Sequence, residues 1–466
     1  MPKSPPPRSV RVRSTAALAL LALGLGVPSV HAQNVNSGVS IGPSEALSPP
    51  TEVPAAPTEH LFGDPGGIRA KLARVGVDLT LDYIAEVAGN VTGGIKKASS
   101  YAGQVGFEAD IDFEKMAGLR GLSFHTVIVN RQGTNVGTAF GDNLNQVQEI
   151  YGAGGNTVVH LVYAYLEQSF AKGRVDIAAG RMPLLNDFAA SPLNCNFMNN
   201  SLCGNPKSLP GNDVGISSYP DAAWGVRFRL RPTVDTYIQL GAYEVNQGIY
   251  TYPNFRSGFK FSSSQDTGAI FPVEVAYEPQ IGADKLPGHY KLGFAYDTTT
   301  YPKFYNSIPA ILNGVRGSGN KMEQWALADQ MLVRNGPGST DGIILLAGYT
   351  HGDPSLSAYQ DQAFVGLLDR DFWAARPQDT IGLLFNYQKV SGQLGRQQEF
   401  DQIIGRPLSN GATGRQSHQE IIEINYDIHV TQGVNFEPVF QYYFRPNAQA
   451  NIKDAAIFGF KSHITF

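Results

Sequence analysis

The chain has 466 residues, among them 51 Gly, 25 Phe and 21 Tyr, and only 16% of its residues are charged. Its mean hydropathy is slightly negative, which excludes a helical membrane protein, and this composition is unusual for a soluble enzyme of such length. The mean hydropathy of a membrane β-barrel is close to zero because half of the residues in each strand are apolar and half are polar. The net charge of -4 provides no basic footprint for nucleic acid.

The amino-terminal region predicts export. Four basic residues precede an apolar run over residues 16–27, and small residues follow at a cleavage point, so we expect a signal peptide over residues 1–32. A membrane anchor is the alternative, but the run is shorter than the roughly 20 residues of a spanning helix, and Pro28 follows it. Residues 33–58 are rich in Pro, Ser and Ala and predict a flexible or extended lead-in, which leaves 59–466 as one barrel domain.

Alternation with a period of two predicts the strands of this domain. After Val75, apolar residues alternate with Asp78, Thr80 and Asp82, and carboxylates at those positions are tolerable only in a wet lumen. The same alternation recurs in residues 105–113, 422–429 and 434–445. Counting such segments predicts an all-β fold, an antiparallel transmembrane β-barrel of about 16 strands.

The last eleven residues predict the closing strand of that barrel. Phe458, Phe460, Ile464 and Phe466 would face lipid, whereas Lys461 and its alternating neighbours would face the lumen. A soluble sandwich could also end on such a strand. Under the barrel hypothesis, Phe466 is the candidate assembly signal, which makes the barrel-assembly machinery a predicted partner.

Three long polar segments predict extracellular or inward-folded loops: 182–222, 301–321 and 391–417. The first contains Cys195 and Cys203, the only cysteines. In an oxidising compartment this pair predicts a disulfide. A metal site is the alternative, but it needs about four ligands, and no His lies near the pair in sequence.

Three runs of sequence resemble the carbohydrate-selective porin family OprB: GDPGGIRAKLARVGVDLTLDYIAEVAGNVTGG, GRMPLLNDFAASPLNCNFMNNSLCGNPKSLP and WGVRFRLRPTVDTYIQLGAYEVNQG. The likeness extends over residues 61–466 and departs from the family at Pro65, where a tryptophan is expected. The resemblance implies a monomeric sugar channel of about 16 strands, constricted by loops that fold into its lumen.

The residues from Trp224 to Arg231 predict a column of arginines on the lumen wall. Trp224 and its alternating neighbours would face lipid, whereas Arg227, Arg229 and Arg231 would face inward, about 7 Å apart along the strand. Arginine offers five donors in a fixed fork, which suits sugar hydroxyls. The alternatives are a generic polar lumen and, for Arg231, a side chain that reaches the membrane edge.

Further candidates for sugar binding accompany the arginines. Glu86 shares the inward parity of Asp82, and residues of the first long loop could fold towards Arg227 and Arg229, although Asn and Asp also occur simply because they form turns. The complete predicted substrate-binding set comprises Arg227, Arg229, Glu86, Arg181, Asp187, Asn194 and Asn196.

These patterns predict a passive outer-membrane channel for monosaccharides such as glucose and related polyols. The predicted surroundings are outer-membrane lipid and lipopolysaccharide, with no nucleic acid, cofactor or metal. A general or anion-preferring porin would also suit the arginines. A barrel hydrolase is a further alternative, but the nine His form no recognisable triad-like arrangement.

Overall fold

A computed structural model describes residues 59–151 and 158–466. The predicted signal peptide and lead-in lie outside these residues. Seventeen strands occur in the described part of the chain. They are β1 (Val77–Thr92), β2 (Ser99–Asp112), β3 (Leu122–Gly133), β4 (His160–Phe170), β5 (Val175–Met182), β6 (Ala223–Thr233), β7 (Thr236–Asn246), β8 (Asp266–Tyr277), β9 (Gln280–Ile281), β10 (Leu286–Pro302), β11 (Ser318–Arg334), β12 (Gly342–Gly352), β13 (Tyr359–Arg370), β14 (Thr380–Val390), β15 (His418–Thr431), β16 (Val434–Phe444) and β17 (Ala455–Thr465).

Sixteen of these strands form a closed antiparallel barrel. Each pairs with its neighbours in chain order, and β9 is a two-residue strand beside β10 in the turn after β8. The barrel closes where β1 pairs with β17, from Asp82 opposite Thr465 to Thr92 opposite Ala456. Closure leaves no sheet edge, as a structure in lipid requires. The predicted fold and strand number are confirmed.

One short helix precedes β1, and the other helices lie in the connections between strands. They are α1 (Ile68–Arg74), α2 (Phe113–Ala117), α3 (Gly137–Phe140), α4 (Leu184–Asp187), α5 (Ser208–Asn212), α6 (Gly248–Thr251), α7 (Pro253–Arg256), α8 (Ile308–Asn313) and α9 (Gly392–Ile403). Within the described ranges, no helix is both long and apolar enough to cross a membrane.

Side chains alternate between the outer face and the lumen as predicted. On β17, Phe458 is 56% exposed on the outer face, whereas Lys461 is 7% exposed and faces inward. On β2, Phe107 is exposed and Glu108 is buried. The inward carboxylates are therefore kept away from lipid, which is the physical reason for the alternation.

The predicted start of the first strand is wrong by two residues. Val75 and Gly76 belong to the turn between α1 and β1, and the strand begins at Val77. Gly76 has a positive φ of 83°, and a Cβ there would lie 2.4 Å from the carbonyl oxygen of Asp112. The close approach is fixed by a hydrogen bond of 2.7 Å from Asp112 N to Gly76 O. Apolar alternation alone does not reveal such a turn.

Long connections lie at one end of the barrel and short ones at the other. The long end has residues 183–222, 247–265, 303–317 and 391–417, together with the connection from β3 to β4. The opposite end has turns such as 171–174, 234–235 and 432–433. The three predicted long loops are confirmed, whereas the loops after β3 and β7 were not among them.

Two segments of the long end fold into the lumen: residues 183–222, here called the inward loop, and residues 134–151, the second inward segment. Phe188, Phe197 and Leu209 of the inward loop are fully buried in an apolar cluster with lumen-facing residues of the wall. Phe140 and Val147 of the second inward segment pack in another cluster against β15 and β16. The lumen is therefore narrowed by packed protein.

Candidate functional site

The inward loop is fastened to the barrel wall on several sides. Glu423 of β15 accepts hydrogen bonds from Met198 N at 2.6 Å and Asn199 N at 2.9 Å. On the far side, Glu274 of β8 accepts one from Ala189 N at 2.9 Å. Buried backbone N–H groups require acceptors, and these lumen carboxylates supply them at opposite sides of the loop.

Further wall contacts hold the loop between these points. Lys291 of β10 donates to Ala190 O at 2.6 Å, and Gln362 of β13 accepts from Ser208 N at 2.9 Å. Loop backbone groups thus find partners on wall side chains, as buried backbone groups must. The loop is therefore held inside the lumen at several points along its length.

Cys195 and Cys203 form a disulfide within the inward loop. The predicted bridge is confirmed, and it occupies both sulfur atoms that the alternative metal site would need as ligands. Lys461 of β17 donates to Cys195 O at 3.3 Å, so the bridged turn is also tied to the closing strand.

The arginine column lies on the lumen wall as predicted. Arg227, Arg229 and Arg231 of β6 are at most 4% exposed, whereas Trp224 on the alternate parity is 40% exposed. Arg227 pairs with Glu167 of β4 at 2.7 Å and with Asp187 of the inward loop at 3.3 Å. The loop therefore meets the column at Asp187.

The rest of the column is also compensated by neighbouring groups. The guanidinium of Arg229 lies 3.8 Å from Asp187, and its Nε donates to Gln239 Oε1 at 2.9 Å. Arg231 pairs with Glu278 at 2.7 Å. Burial raises the pKa of Asp187, while Arg227 and Arg229 act in the opposite direction. Three guanidiniums thus face three carboxylates.

Glu167 and Glu278 were not among the sequence candidates. They lie 60 and 47 residues from their arginine partners along the chain. The sequence signal that could have found Glu167 is its position on the inward parity of β4. In the structure, β5 pairs with both β4 and β6, and its residue Ala178 lies opposite Glu167 on one side and Arg227 on the other. That register is not visible in the sequence.

The other predicted site residues do not join the column. Glu86 is fully buried on β1 and accepts a hydrogen bond from Ile150 N at 3.2 Å, so it holds the second inward segment. Arg181 ends β5 and donates from Nε to Leu161 O at 3.1 Å. Asp221 and Glu244 are the carboxylates whose charges act on it.

Asn194 and Asn196 lie beyond Asp187 in the inward loop. Asn194 is 1% exposed and lines a small pocket with His289, Lys291 and Asp329 of the wall. Asn196 donates to Leu193 O at 2.9 Å and accepts a hydrogen bond from Asn425. Its contacts are those of a residue that shapes the loop, which is the alternative noted from the sequence.

The closed barrel of 16 strands, with an apolar outer face and a charged lumen narrowed by a fastened loop, defines an outer-membrane channel. Residues 96–466 match the family model described as "Carbohydrate-selective porin, OprB family". The chain belongs to this family. It is a sugar diffusion channel of the bacterial outer membrane and not an enzyme.

Individual relatives agree with this assignment. Porin B of Pseudomonas aeruginosa is 29% identical over 472 residues, which cover 96% of this chain and 96% of that protein. The putative porin QuiX of Acinetobacter baylyi is 26% identical and covers 88% of this chain and 93% of its own. The high-pH structure of Pseudomonas putida OprB superimposes with a TM-score of 0.81 at 28% identity, covering 89% of this chain and 100% of that one.

Proposed function

We propose that this porin admits neutral monosaccharides such as glucose, and related polyols, by passive diffusion. The observation that carries the proposal is the balance of charge along the arginine column. Three buried arginines face Glu167, Asp187 and Glu278, so the wall offers many hydrogen-bonding groups without a large field of one sign. A neutral solute with many hydroxyls suits such a wall.

In this proposal Arg227 and Arg229 donate hydrogen bonds to sugar hydroxyls as the solute passes the inward loop. Arg227 Nη1 has no hydrogen-bond partner among the described residues, so this nitrogen is the proposed donor to a sugar hydroxyl. Asp187 and Glu86 are proposed as acceptors, with Arg181, Asn194 and Asn196 as further contacts. Several weak contacts in sequence would favour the solute without trapping it.

The competing function is a general or anion-preferring porin. The carboxylates beside each arginine argue against an anion preference at the column, because they cancel its positive field at short range. Liposome swelling separates these functions. A sugar-selective channel admits glucose faster than uncharged solutes of equal size with few hydroxyls, whereas a general porin sorts the same solutes by size alone.

We also propose that Phe466 is an assembly signal for the barrel-assembly machinery, and that the porin functions as a monomer. Phe466 N donates to Leu81 O at 2.8 Å, and the Phe466 ring lies 6.0 Å from that of Phe62. Arg69 of α1 donates to Phe466 O. The residue therefore joins β1, β17 and the segment before α1 at the short-turn end of the barrel.

A further inference from the structure

A row of aromatic side chains runs along the outer face of β16 and β17, beside the seam where the barrel closes. The rings of Phe436 and Phe460 lie 5.3 Å apart, and those of Phe440 and Phe458 lie 4.9 Å apart. Two further aromatic residues continue β16 to the long-loop end, with ring centres 4.7 Å apart. We call this row the aromatic stripe, and its members are Phe436, Phe440, Tyr442, Phe444, Phe458 and Phe460. All six are exposed or partly exposed on the face that meets lipid.

Four cations lie at the long-loop end of this stripe. Arg445 directly follows β16, Lys453 lies two residues before β17, and Lys96 and Lys97 lie in the turn between β1 and β2. That turn contacts the start of β17, because Gly94 N donates to Lys453 O at 2.9 Å. Neighbouring strands are about 4.8 Å apart, so the set spans about 15 Å from β16 to β2. We call these four cations the basic rim.

The cations of the basic rim are available to an external partner. The three lysines are exposed, and the ion pairs within residues 59–151 and 158–466 include none of them. Arg445 has neutral partners. Its Nη1 lies 2.8 Å from His418 Nε2, and its Nη2 donates to Ser417 Oγ at 2.9 Å. These contacts orient the guanidinium of Arg445 without neutralising it.

The carboxylates beside the basic rim already have partners. Asp454 accepts a hydrogen bond from Arg445 N at 2.9 Å, and Glu420 of β15 lies 3.5 Å from His418. Asp142 of the second inward segment is fully buried on the lumen side, where Gln419 donates to it. At the exposed surface, four cations therefore accompany two carboxylates, directly above an apolar stripe.

We infer that the basic rim and the aromatic stripe together bind a phosphorylated glycolipid of the lipid A class, the membrane anchor of lipopolysaccharide. The rim cations donate charge-assisted hydrogen bonds to the phosphates, and the acyl chains lie along the stripe. The long loops of a bacterial barrel face the cell exterior, so the rim meets the headgroups of the outer leaflet.

The spread of the cations decides the kind of headgroup. A rim of about 15 Å, set by three strand spacings, suits a disaccharide that carries a phosphate at each end better than a headgroup with one phosphate. Aromatic side chains at the membrane interface are placed to contact the boundary between headgroup and acyl chains. This inference concerns the outer surface of the barrel and does not depend on the proposed passage of sugars.

The test measures lipid binding to the purified, delipidated full-length porin by native mass spectrometry. The probes are bisphosphorylated lipid A, phosphatidylglycerol and the lipid A disaccharide bisphosphate without acyl chains. For the wild type we expect half-saturation by lipid A at a concentration several-fold below that for phosphatidylglycerol. The disaccharide bisphosphate should bind at least tenfold more weakly than lipid A, because it makes no contact with the aromatic stripe.

The variant K96Q/K97Q/K453Q removes the three lysines of the basic rim and should abolish most of the preference for lipid A. The matched control K260Q/R316Q/R396Q removes three exposed cations from other loops at the same end and should leave the preference unchanged. Retention of the heat-dependent gel migration of a folded barrel shows that each variant has assembled.

Several outcomes would overturn the inference. Equal binding of lipid A and phosphatidylglycerol by the wild type would show attraction to any anionic lipid. Equal losses in the two triple variants would show an effect of surface charge in general. If the disaccharide bisphosphate bound as tightly as lipid A, the rim would be a phosphate site without a role for the stripe. Glucose entry into liposomes is measured with the same variants and should match the wild type, which separates this inference from the proposed sugar channel.

Discussion

Arg227 shows how a single lumen residue can serve both the fold and the proposed transport. It is fully buried between Glu167 on the wall and Asp187 on the inward loop, so it joins two elements that are distant in the chain. Removing one partner of such a pair leaves the other charge buried and uncompensated, which typically costs about 3–5 kcal/mol. The residue is therefore structural as well as a candidate sugar contact.

We predict that the variant R227Q/R229Q weakens glucose block of ion current several-fold. Each neutral hydrogen bond contributes about 0.5–1.5 kcal/mol, and one to a charged group contributes more. The matched control is R231Q, which lies nearer the short turn at 234–235 and should have a smaller effect. If the double variant retained wild-type glucose block while its ion preference changed, the arginines would be ordinary lumen residues and not sugar contacts.

The position of a residue in the alternating pattern predicted which way its side chain faces, but it could not predict the hydrogen-bond partners of that side chain. Alternation placed Arg227 and Glu86 on the lumen face, and the structure confirms both positions. The partner of Glu86 is a backbone amide of the second inward segment, Ile150 N. Such contacts depend on the path of a loop through the lumen, and no local pattern of residues encodes that path.

The inward loop is the longest connection of the barrel, and it folds into the lumen. Wall side chains on both sides of the lumen hold it, among them Glu423 and Glu274, and the Cys195–Cys203 disulfide closes one turn of it. The cysteine pair allowed this loop to be singled out from the sequence. The second inward segment contains no cysteine. Its residues Gln148 and Asn145 donate hydrogen bonds to Glu86 of β1 and Gln388 of β14, which are distant from it in sequence.

We predict that C195S/C203S leaves the barrel folded and widens the constriction. The strands close the barrel independently of the bridge, whereas the turn that includes residues 195–203 loses a covalent restraint on its conformations. Single-channel conductance should rise, with larger fluctuations than in the wild type. Unchanged conductance and sugar block would mean that the hydrogen bonds to the wall fix the loop without the bridge.

Phe466 follows the closing strand β17 at the carboxyl end of the chain. Deletion of Phe466 should reduce the yield of assembled barrel in the outer membrane, with material retained in the periplasm. R69A is the matched variant, because it removes a hydrogen bond to Phe466 O but keeps the aromatic residue. If Phe466 is a recognition signal, only its deletion impairs assembly. Equal defects would assign its role to the contact with α1, and normal yield after the deletion would exclude both roles.

For the whole molecule, the period-two pattern predicts the fold because each strand faces lipid on one side and the lumen on the other. Every strand must present apolar residues outward, so Phe107 and Phe458 mark the outer face without knowledge of any contact. The lumen obeys no comparable rule. It contains buried Ile84 beside Glu86 on the same face of β1, since one packs against Ile150 and the other binds its amide. The barrel was therefore more predictable than its constriction.

Liposome swelling measures whether the porin passes monosaccharides selectively and passively. Vesicles containing the purified porin are placed in isotonic glucose, sorbitol, a disaccharide and an uncharged solute of the size of glucose with few hydroxyls. We predict that glucose and sorbitol enter fastest, that the size-matched control enters several-fold more slowly, and that the disaccharide is slowest. Rates that depend only on solute size would contradict sugar selectivity and would make this barrel a general diffusion pore.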